Sequence, residues 1–403
     1  MSQPIEPLTI GEPRVARNGA TQIVSSLIST PLARHEVWYR SACGPLTATA
    51  DPFLVAALIP AMRLGRPIQV NGTVSRSLLE AVPQIEQIFH AWYPDLHAVS
   101  VHARAAVPPG PGGAGVACFF SGGVDSFYTL LTRREEISHL IFVHGFDLKL
   151  DKVRFREHVS QMLHGIAQEL GKPLVEVETN LRSFSDGHAR WAQEYFGAAL
   201  ASVVLLLGSQ FRKVFIPASV TYAELYPWGS HPLVDPLWST EATRIVHDGC
   251  EATRVDKVAR IADSDTVRGS LRVCWENRHD QYNCGQCEKC VRTMVSLRAV
   301  GVLDKCRTFP GKLNLLSVAC VDVPNPIMRS FYEQNLRVVV STGRDPALLL
   351  ALRIALNPLR QQLWRLGRGA RNRIRRFVAG LAAHIQQKAR SLDGVPPQPS
   401  MPS

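Results

Sequence analysis

Two hydrophobic rhythms alternate along this chain. Short apolar runs predict strands, and longer stretches with apolar positions three and four apart predict helices. In the first hundred residues HEVWYR (35–40) reads as a strand and DPFLVAALIPAMRLG (51–65) as a helix closed by glycine. PIQVNG (67–72) reads as a strand ending in a turn dipeptide, SRSLLEAVPQIEQIFHAW (75–92) as a helix and HAVSVHA (97–103) as a strand. AVPPGPGGAG (106–115) has the Pro and Gly content of a linker, so residues 1–105 are expected to form a small α/β domain.

From residue 116 the alternation becomes regular. Strand GVACFF (115–120) leads into a glycine turn and a helix near Ser126, and strand HLIFVHG (139–145) into the helical pattern of REHVSQMLHGIAQELG (156–171). PLVEVE (173–178) precedes a helix around 190–210, and KVFIPAS (213–219) closes the set. Apolar strands separated by helices predict an α/β domain, residues 116–320, with a doubly wound parallel sheet covered on both faces. FGAALASVVLLLG (196–208) is too short to span a bilayer and reads as a buried helix. Residues 321–392 read as helical and basic, with Ile374, Phe377, Val378, Leu381 and Ile385 at helical spacing, and 393–403 as a disordered tail.

A length of 403 residues fits two domains with an appended tail. The formal charge of +11 looks like a nucleic-acid signal until it is located: residues 346–392 hold ten Lys or Arg and no acid, which accounts for nearly all of it. The near-neutral remainder disfavours a broad nucleic-acid groove. The opening MSQPIEPLTIGEPRVARNGATQIV has no basic start followed by an apolar stretch, so no secretory signal is expected and a cytoplasmic location follows. There, nine cysteines suggest metal or chemistry over disulfides. The basic helix within 353–390 suggests contact with anionic lipid, peripheral at a membrane, or with an acidic protein; a solvated helix packed on the domain is the competing reading.

Ligands of open α/β sheets bind beyond the carboxyl ends of the strands, and phosphates favour helix N-termini. SGGVDS (121–126) falls at such a place. Gly122 and Gly123 would let backbone approach an anion, Ser121 and Ser126 offer hydroxyls, and Asp125 suits a magnesium ion better than a phosphate. The turn matches neither the dinucleotide nor the Walker pattern. It resembles the pyrophosphate-binding loop of the N-type ATP pyrophosphatase (PP-loop) superfamily in all six positions, Ser121, Gly122, Gly123, Val124, Asp125 and Ser126. That resemblance implies an adenine nucleotide alpha hydrolase-like (HUP-type) fold, ATP and Mg²⁺ as cofactors, and cleavage of ATP to AMP and pyrophosphate. It also implies that Val143, His144 and Gly145 meet the adenine edge. Asn180 and Arg182, after the third strand, are substrate candidates, with a helix-capping loop as the competing reading.

The long loop IPASVTYAELYPWGSHPLVDPLWSTE (216–241) follows a strand at the ligand edge. Gly229, Ser230 and His231 are candidates for the acceptor site, and Asp235 for a second magnesium or substrate ligand; a loop that merely covers the sheet edge is the competing reading. Arg254 and Lys257 share one helical face, where they would neutralise departing pyrophosphate; a solvated helix face is the competing reading.

CWENRHDQYNCGQCEKC places Cys274, Cys284, Cys287 and Cys290 in two overlapping C-x2-C units with a fourth cysteine upstream. This is the pattern of a closed four-thiolate zinc site with a structural role. Cys43, Cys118, Cys250, Cys306 and Cys320 lack such spacing and read as core residues. A zinc held by Cys and C-x2-C-x2-C resembles 7-cyano-7-deazaguanine synthase among PP-loop enzymes, over roughly residues 116–300. The extra N-terminal segment, the basic tail and PWGSHPLVD in the substrate loop depart from that family. The expectation is therefore an ATP-dependent, AMP-forming ligase, a relative with a different acceptor. Its partners are a small-molecule carboxylate and an ammonia or amine donor, with a homodimer left open. An RNA-thiolating enzyme and a non-catalytic nucleotide-binding scaffold are the alternatives.

Overall fold

The computed structural model describes residues 6–106, 112–365 and 380. In chain order the elements are β1 (Leu8–Ile10), β2 (Arg14–Asn18), β3 (Thr21–Ser29), β4 (Arg34–Ser41), α1 (Asp51–Leu64), β5 (Ile68–Ser75), α2 (Arg76–Trp92), β6 (Val101–Ala106), β7 (Gly115–Phe119), α3 (Val124–Thr132), β8 (His139–His144) and α4 (Val153–Leu170). They continue with β9 (Leu174–Thr179), α5 (Leu181–Ser185), α6 (Phe196–Leu206), β10 (Phe211–Pro217), β11 (Arg244–Asp248), α7 (Arg254–Ile261), α8 (Asp265–Ser270), α9 (Glu288–Val300), α10 (Leu315–Ala319), α11 (Pro326–Thr342), α12 (Pro346–Leu356) and α13 (Pro358–Arg365).

Among the described residues eleven strands join one sheet, in the order β11-β10-β7-β8-β9-β4-β3-β1-β5-β6, with β2 on β3. The five strands from β11 to β9 run parallel. Ile141, Val143, Val175 and Val177 share one core with α1 and α6. Side chains alternate along a strand, so the intervening positions face the opposite side, where α4 packs on β9.

The expected division at residues 106–115 does not hold. One compact unit takes the chain to Thr253 together with Ser270–Arg272, and a second is built from Arg254–Gly269 and the chain from Val273 onward. Two needs tie the N-terminal segment to the first unit. Strand β9 would otherwise expose an edge; β4 pairs with it antiparallel through Tyr39↔Thr179 and Arg40↔Glu178. Helix α6 is apolar on every side and almost wholly buried, so it requires a second helix as cover, and α1 supplies it. Residues 107–111, the centre of the expected linker, lie outside the described residues.

Smaller differences have local causes. Strand β5 runs through Asn71-Gly72 to Ser75, because a register shift against β6 absorbs the glycine where a turn was expected. The helix expected near 190 opens with a π-helical turn, Trp191–Tyr195. Strand β11 extends the sheet beyond the expected last strand.

In the second unit α7, α9, α11 and α12 pack on one another. Arg360, expected on a basic face, is buried and donates to the carbonyls of Ala355 (3.0 Å) and Val321 (2.8 Å). Residues 366–379 and 381–403, which carry Ile374, Phe377, Val378, Leu381, Ile385 and the expected lipid or acidic-partner contact, lie outside the described residues. Among the described residues no helix is long and apolar enough to cross a membrane.

Candidate functional site

The order β9-β8-β7-β10-β11 reverses direction between β7 and β10, which makes the carboxyl end of β7 the topological switch point of the parallel section. Ser121–Ser126 leaves the sheet there. Gly122 has φ +72°, a conformation side chains resist, and a Cβ on it would stand 3.4 Å from Leu163. This turn brings Gly123 to the N-cap of α3. Ser126 is not turned outward as a donor: its hydroxyl accepts from the Gly123 N–H at 3.1 Å and so holds the loop closed on itself. Ser121 is exposed and Asp125 half-buried in the first turn of α3. By helix geometry the first-turn N–H groups have no acceptor within α3.

Segment Ser270–Arg272 returns to this loop. The Arg272 N–H donates to the Gly122 carbonyl at 2.8 Å, and the buried guanidinium stacks on Phe155 at 5.7 Å. Arg272 was not foreseen; two residues before Cys274, it belongs to no motif.

Beyond β7 the neighbouring strand is open on one side. The Phe120 N–H donates to the Ile141 carbonyl, so the main chain of Ile141, and of Val143 two residues on, faces the β7 side. Pairing of β7 with β8 stops at Phe119↔Ile141. Among the described residues no strand continues opposite Val143. Gly145 has φ +96°, and a Cβ there would lie 1.9 Å from the Thr179 carbonyl oxygen, so only glycine permits this approach of the two strand ends.

His144 turns to the other face. Its Nδ1 accepts from Arg156 at 3.2 Å, which makes Nε2 the donor to Glu176 at 2.9 Å and sets the tautomer. Burial would raise the Glu176 carboxyl, but hydrogen bonds from His144, Ser160 and His164 hold it at about 2. Glu178 is bound by Arg40 and, at 2.6 Å, by Arg156. Arg40, His144, Arg156, Ser160, Glu176 and Glu178 border an open cavity of about 520 Å³ reaching Asn18 and Cys43. As an adenine contact His144 is left with its backbone alone.

Both substrate candidates after β9 are engaged elsewhere. Asn180 accepts from the Trp38 N–H at 2.9 Å and donates to the Glu36 carbonyl at 2.8 Å, stitching β9's exit to β4. Arg182 pairs with Asp186 and lies over the Trp191 ring at 4.5 Å.

The loop after β10 folds inward. Gly229 is a packing position, its carbonyl accepting from the Gly197 N–H at 3.0 Å. Asp235 is fully buried, accepting from Ser230 (2.7 Å), the His231 N–H (3.2 Å) and His247 Nδ1 (2.7 Å). Its oxygens are thus occupied within the fold, which corrects its expected place as a magnesium or substrate ligand. His231 is buried with its ring against Trp92 at 4.8 Å. Burial opposes charge on His247, but hydrogen bonds with Asp235 and Cys250 raise it to about 9. His247, at the end of β11, was missed because that strand was not anticipated.

In the second unit Cys274, Cys284, Cys287 and Cys290 are buried with ligand atoms all within 4.8 Å of one another. The Cys274–Cys287 and Cys284–Cys290 sulfur separations are both 3.9 Å. A tetrahedron of 2.3 Å metal–sulfur bonds has edges of about 3.8 Å, so the donor set fits a metal such as zinc. The Cys287 N–H points to Cys284 Sγ (3.2 Å) and the Cys290 N–H to Cys287 Sγ (3.4 Å), contacts that suit thiolates. Hydrogen bonds from Cys287 and Cys290 hold the Cys274 thiol low, while the Cys287 and Cys290 thiols are held high by Cys274; a cation would allow all four to ionise. Arg254 and Lys257, on α7 of the same unit, are 3 % and 1 % exposed, which excludes the solvated-face reading.

Compared with known proteins, the chain matches no family model, no curated protein and no solved structure.

Proposed function

We propose that the protein is an ATP-dependent ligase that forms AMP and pyrophosphate while activating a carboxylate for attack by ammonia or an amine. One observation carries this reading: a glycine turn with a left-handed Gly122 opens α3 at the switch point of a 3-2-1-4-5 parallel section. That order, with SGGVDS on its first strand, resembles the adenine nucleotide alpha hydrolase-like fold of PP-loop enzymes. The β- and γ-phosphates lie against the Gly122–Val124 backbone, and Arg272 supplies a cation beside the loop. Asp125 would hold a magnesium ion, whose charge would neutralise the phosphates. The adenine edge meets the Val143 main chain on the side where β7 has ended. Orientation of the carboxylate against the α-phosphate and stabilisation of the departing charge supply most of the acceleration. Zinc would occupy the four-cysteine cluster in a structural role, since four thiolates leave no open position.

The test is turnover. Purified protein given ATP, Mg²⁺ and a panel of small carboxylic acids with ammonium releases AMP and pyrophosphate, and Asp125→Ala abolishes the release. Formation of ADP, or unchanged turnover in Asp125→Ala, overturns the reading.

A further inference from the structure

Beside α4 the sheet carries a polar row that no helix covers completely. Direct cross-strand pairs share a face, so the pairings Ile23↔Arg40 and Arg40↔Glu178 align these three side chains across β3, β4 and β9. Tyr39, the preceding residue of β4, points the other way, where its hydroxyl donates to Ser202 of α6. The row is the floor of the cavity of about 520 Å³, and Val153, Arg156, Glu157 and Ser160 of α4 are its wall. That volume suits a small molecule. Most charges around it are matched within the protein. Glu176 accepts from His144 and Ser160 at 2.9 Å each, and Glu178 from Arg156 at 2.6 Å and Arg40 Nε at 2.9 Å. Two charged groups are left over. Arg40, held by Glu178 through Nε and Nη2 and lying over the Trp38 ring at 5.1 Å, has no partner for Nη1 among the described residues. The Glu157 carboxylate, on the facing wall, has none either.

We propose that this cavity binds a free α-amino acid with an aliphatic side chain, its carboxylate on Arg40 and its ammonium group on Glu157. A leftover cation on the floor and a leftover anion on the wall select a ligand that carries both signs. A simple anion would be set against the carboxylates of Glu157, Glu176 and Glu178, and a polycation against the guanidinium groups of Arg40 and Arg156. Charge-assisted hydrogen bonds at both ends fix the ligand's orientation. Ile23, directly beside Arg40, and Val153, one helical turn before Glu157, supply apolar surface for its side chain. The site is distinct from the glycine loop. Helix α4 turns Phe155 to Arg272 and Leu163 to the Gly122 turn, while Arg156, Glu157 and Ser160 line the cavity from another side of the same helix. The proposal therefore stands apart from the ligase reading.

Cys43 makes the site testable without turnover. Its half-buried thiol lines the cavity, and Cys320, the other partly exposed cysteine, lies in the second unit and serves as internal control. Full-length protein is treated with iodoacetamide and both cysteines are followed by peptide mass spectrometry. L-Leucine slows alkylation of Cys43 along a binding curve, reaching about tenfold at about ten times Kd, and leaves Cys320 unchanged. Isocaproate, which lacks the ammonium group, and isoamylamine, which lacks the carboxylate, each bind about tenfold more weakly or worse, the loss expected of one charge-assisted hydrogen bond. Glu157→Gln weakens L-leucine about tenfold and erases its advantage over isocaproate. Glu157 is exposed and holds no other hydrogen bond or ion pair, so the variant folds as the parent does. Arg40→Gln erases the advantage over isoamylamine. Unchanged alkylation of Cys43 in millimolar L-leucine overturns the proposal. So does equal protection by inorganic phosphate or spermidine, which would mark a site for one sign of charge. An undiminished preference for L-leucine over isocaproate in Glu157→Gln overturns it as well.

Discussion

Raising the pH from 6 to 10 tests the His247–Asp235 pair directly. The imidazole ionises near 6.5 in an unfolded chain and near 9 in the fold, so the native state favours its protonated form. The stabilisation is therefore complete below pH 6.5 and is lost as pH rises through 9. At about 1.4 kcal/mol per pH unit that interval comes to about 3 kcal/mol. The His247 and Asp235 side chains are 5 % and 0 % exposed, so solvent screens little of it. A wild-type profile alone would mix this ionisation with every other that changes on unfolding. His247→Gln keeps a polar side chain without the ionisation, and the remaining groups are common to both proteins. Urea unfolding of the two, followed by tryptophan fluorescence at several pH values, gives a stability difference that shrinks by about 3 kcal/mol between pH 6 and 10. A difference flat to within about 0.5 kcal/mol would show that the histidine is neutral in the fold, and the ion-pair argument would fail.

Two further outcomes follow from close geometry. Gly145→Ala places a methyl 1.9 Å from the Thr179 carbonyl at φ +96° and forces the ends of β8 and β9 apart; strain and overpacking together cost about 3 kcal/mol or more in urea unfolding, and a loss below about 1 kcal/mol would contradict the observed approach. The purified protein carries one zinc by elemental analysis, while Cys287→Ser loses it along with thermal stability, because metal binding and folding of such a site are one free energy. Full zinc occupancy in that variant would remove Cys287 from the ligand set.

How much of this was legible in the sequence depended on how far apart the interacting residues lie. Strands β7, β8 and β9 were readable because parallel strands buried on both faces are short apolar runs, and the glycine turn because strand, Gly-Gly and helix are contiguous. The cysteine cluster was readable for the same reason. Strand β2, RVARN, is exposed at every position and offers no apolar rhythm, so the N-terminal extension of the sheet was hidden. Asn180 shows the consequence. A polar residue just past a strand at the ligand edge reads as a substrate contact, yet its partners Trp38 and Glu36 lie 142 and 144 residues earlier in the chain. The Asp235–His247 pair was hidden in the same way, since its members come from a 3-10 turn and a strand end.

That distinction bears on where the acceptor is chosen. The polar groups along β9 and its exit, Glu176, Glu178 and Asn180, are engaged by α4, β8 and the N-terminal strands. Their hydrogen bonds hold the two halves of the sheet together, and changing them would cost stability before it changed a substrate preference. The main chain of Val143 faces the side where β7 has ended, and Ser121 is exposed at the end of that strand. The Ala218–Leu225 segment leaves the neighbouring strand β10 at the same edge of the sheet. Substitutions that alter acceptor choice without lowering stability are therefore expected in that segment, and not along β9.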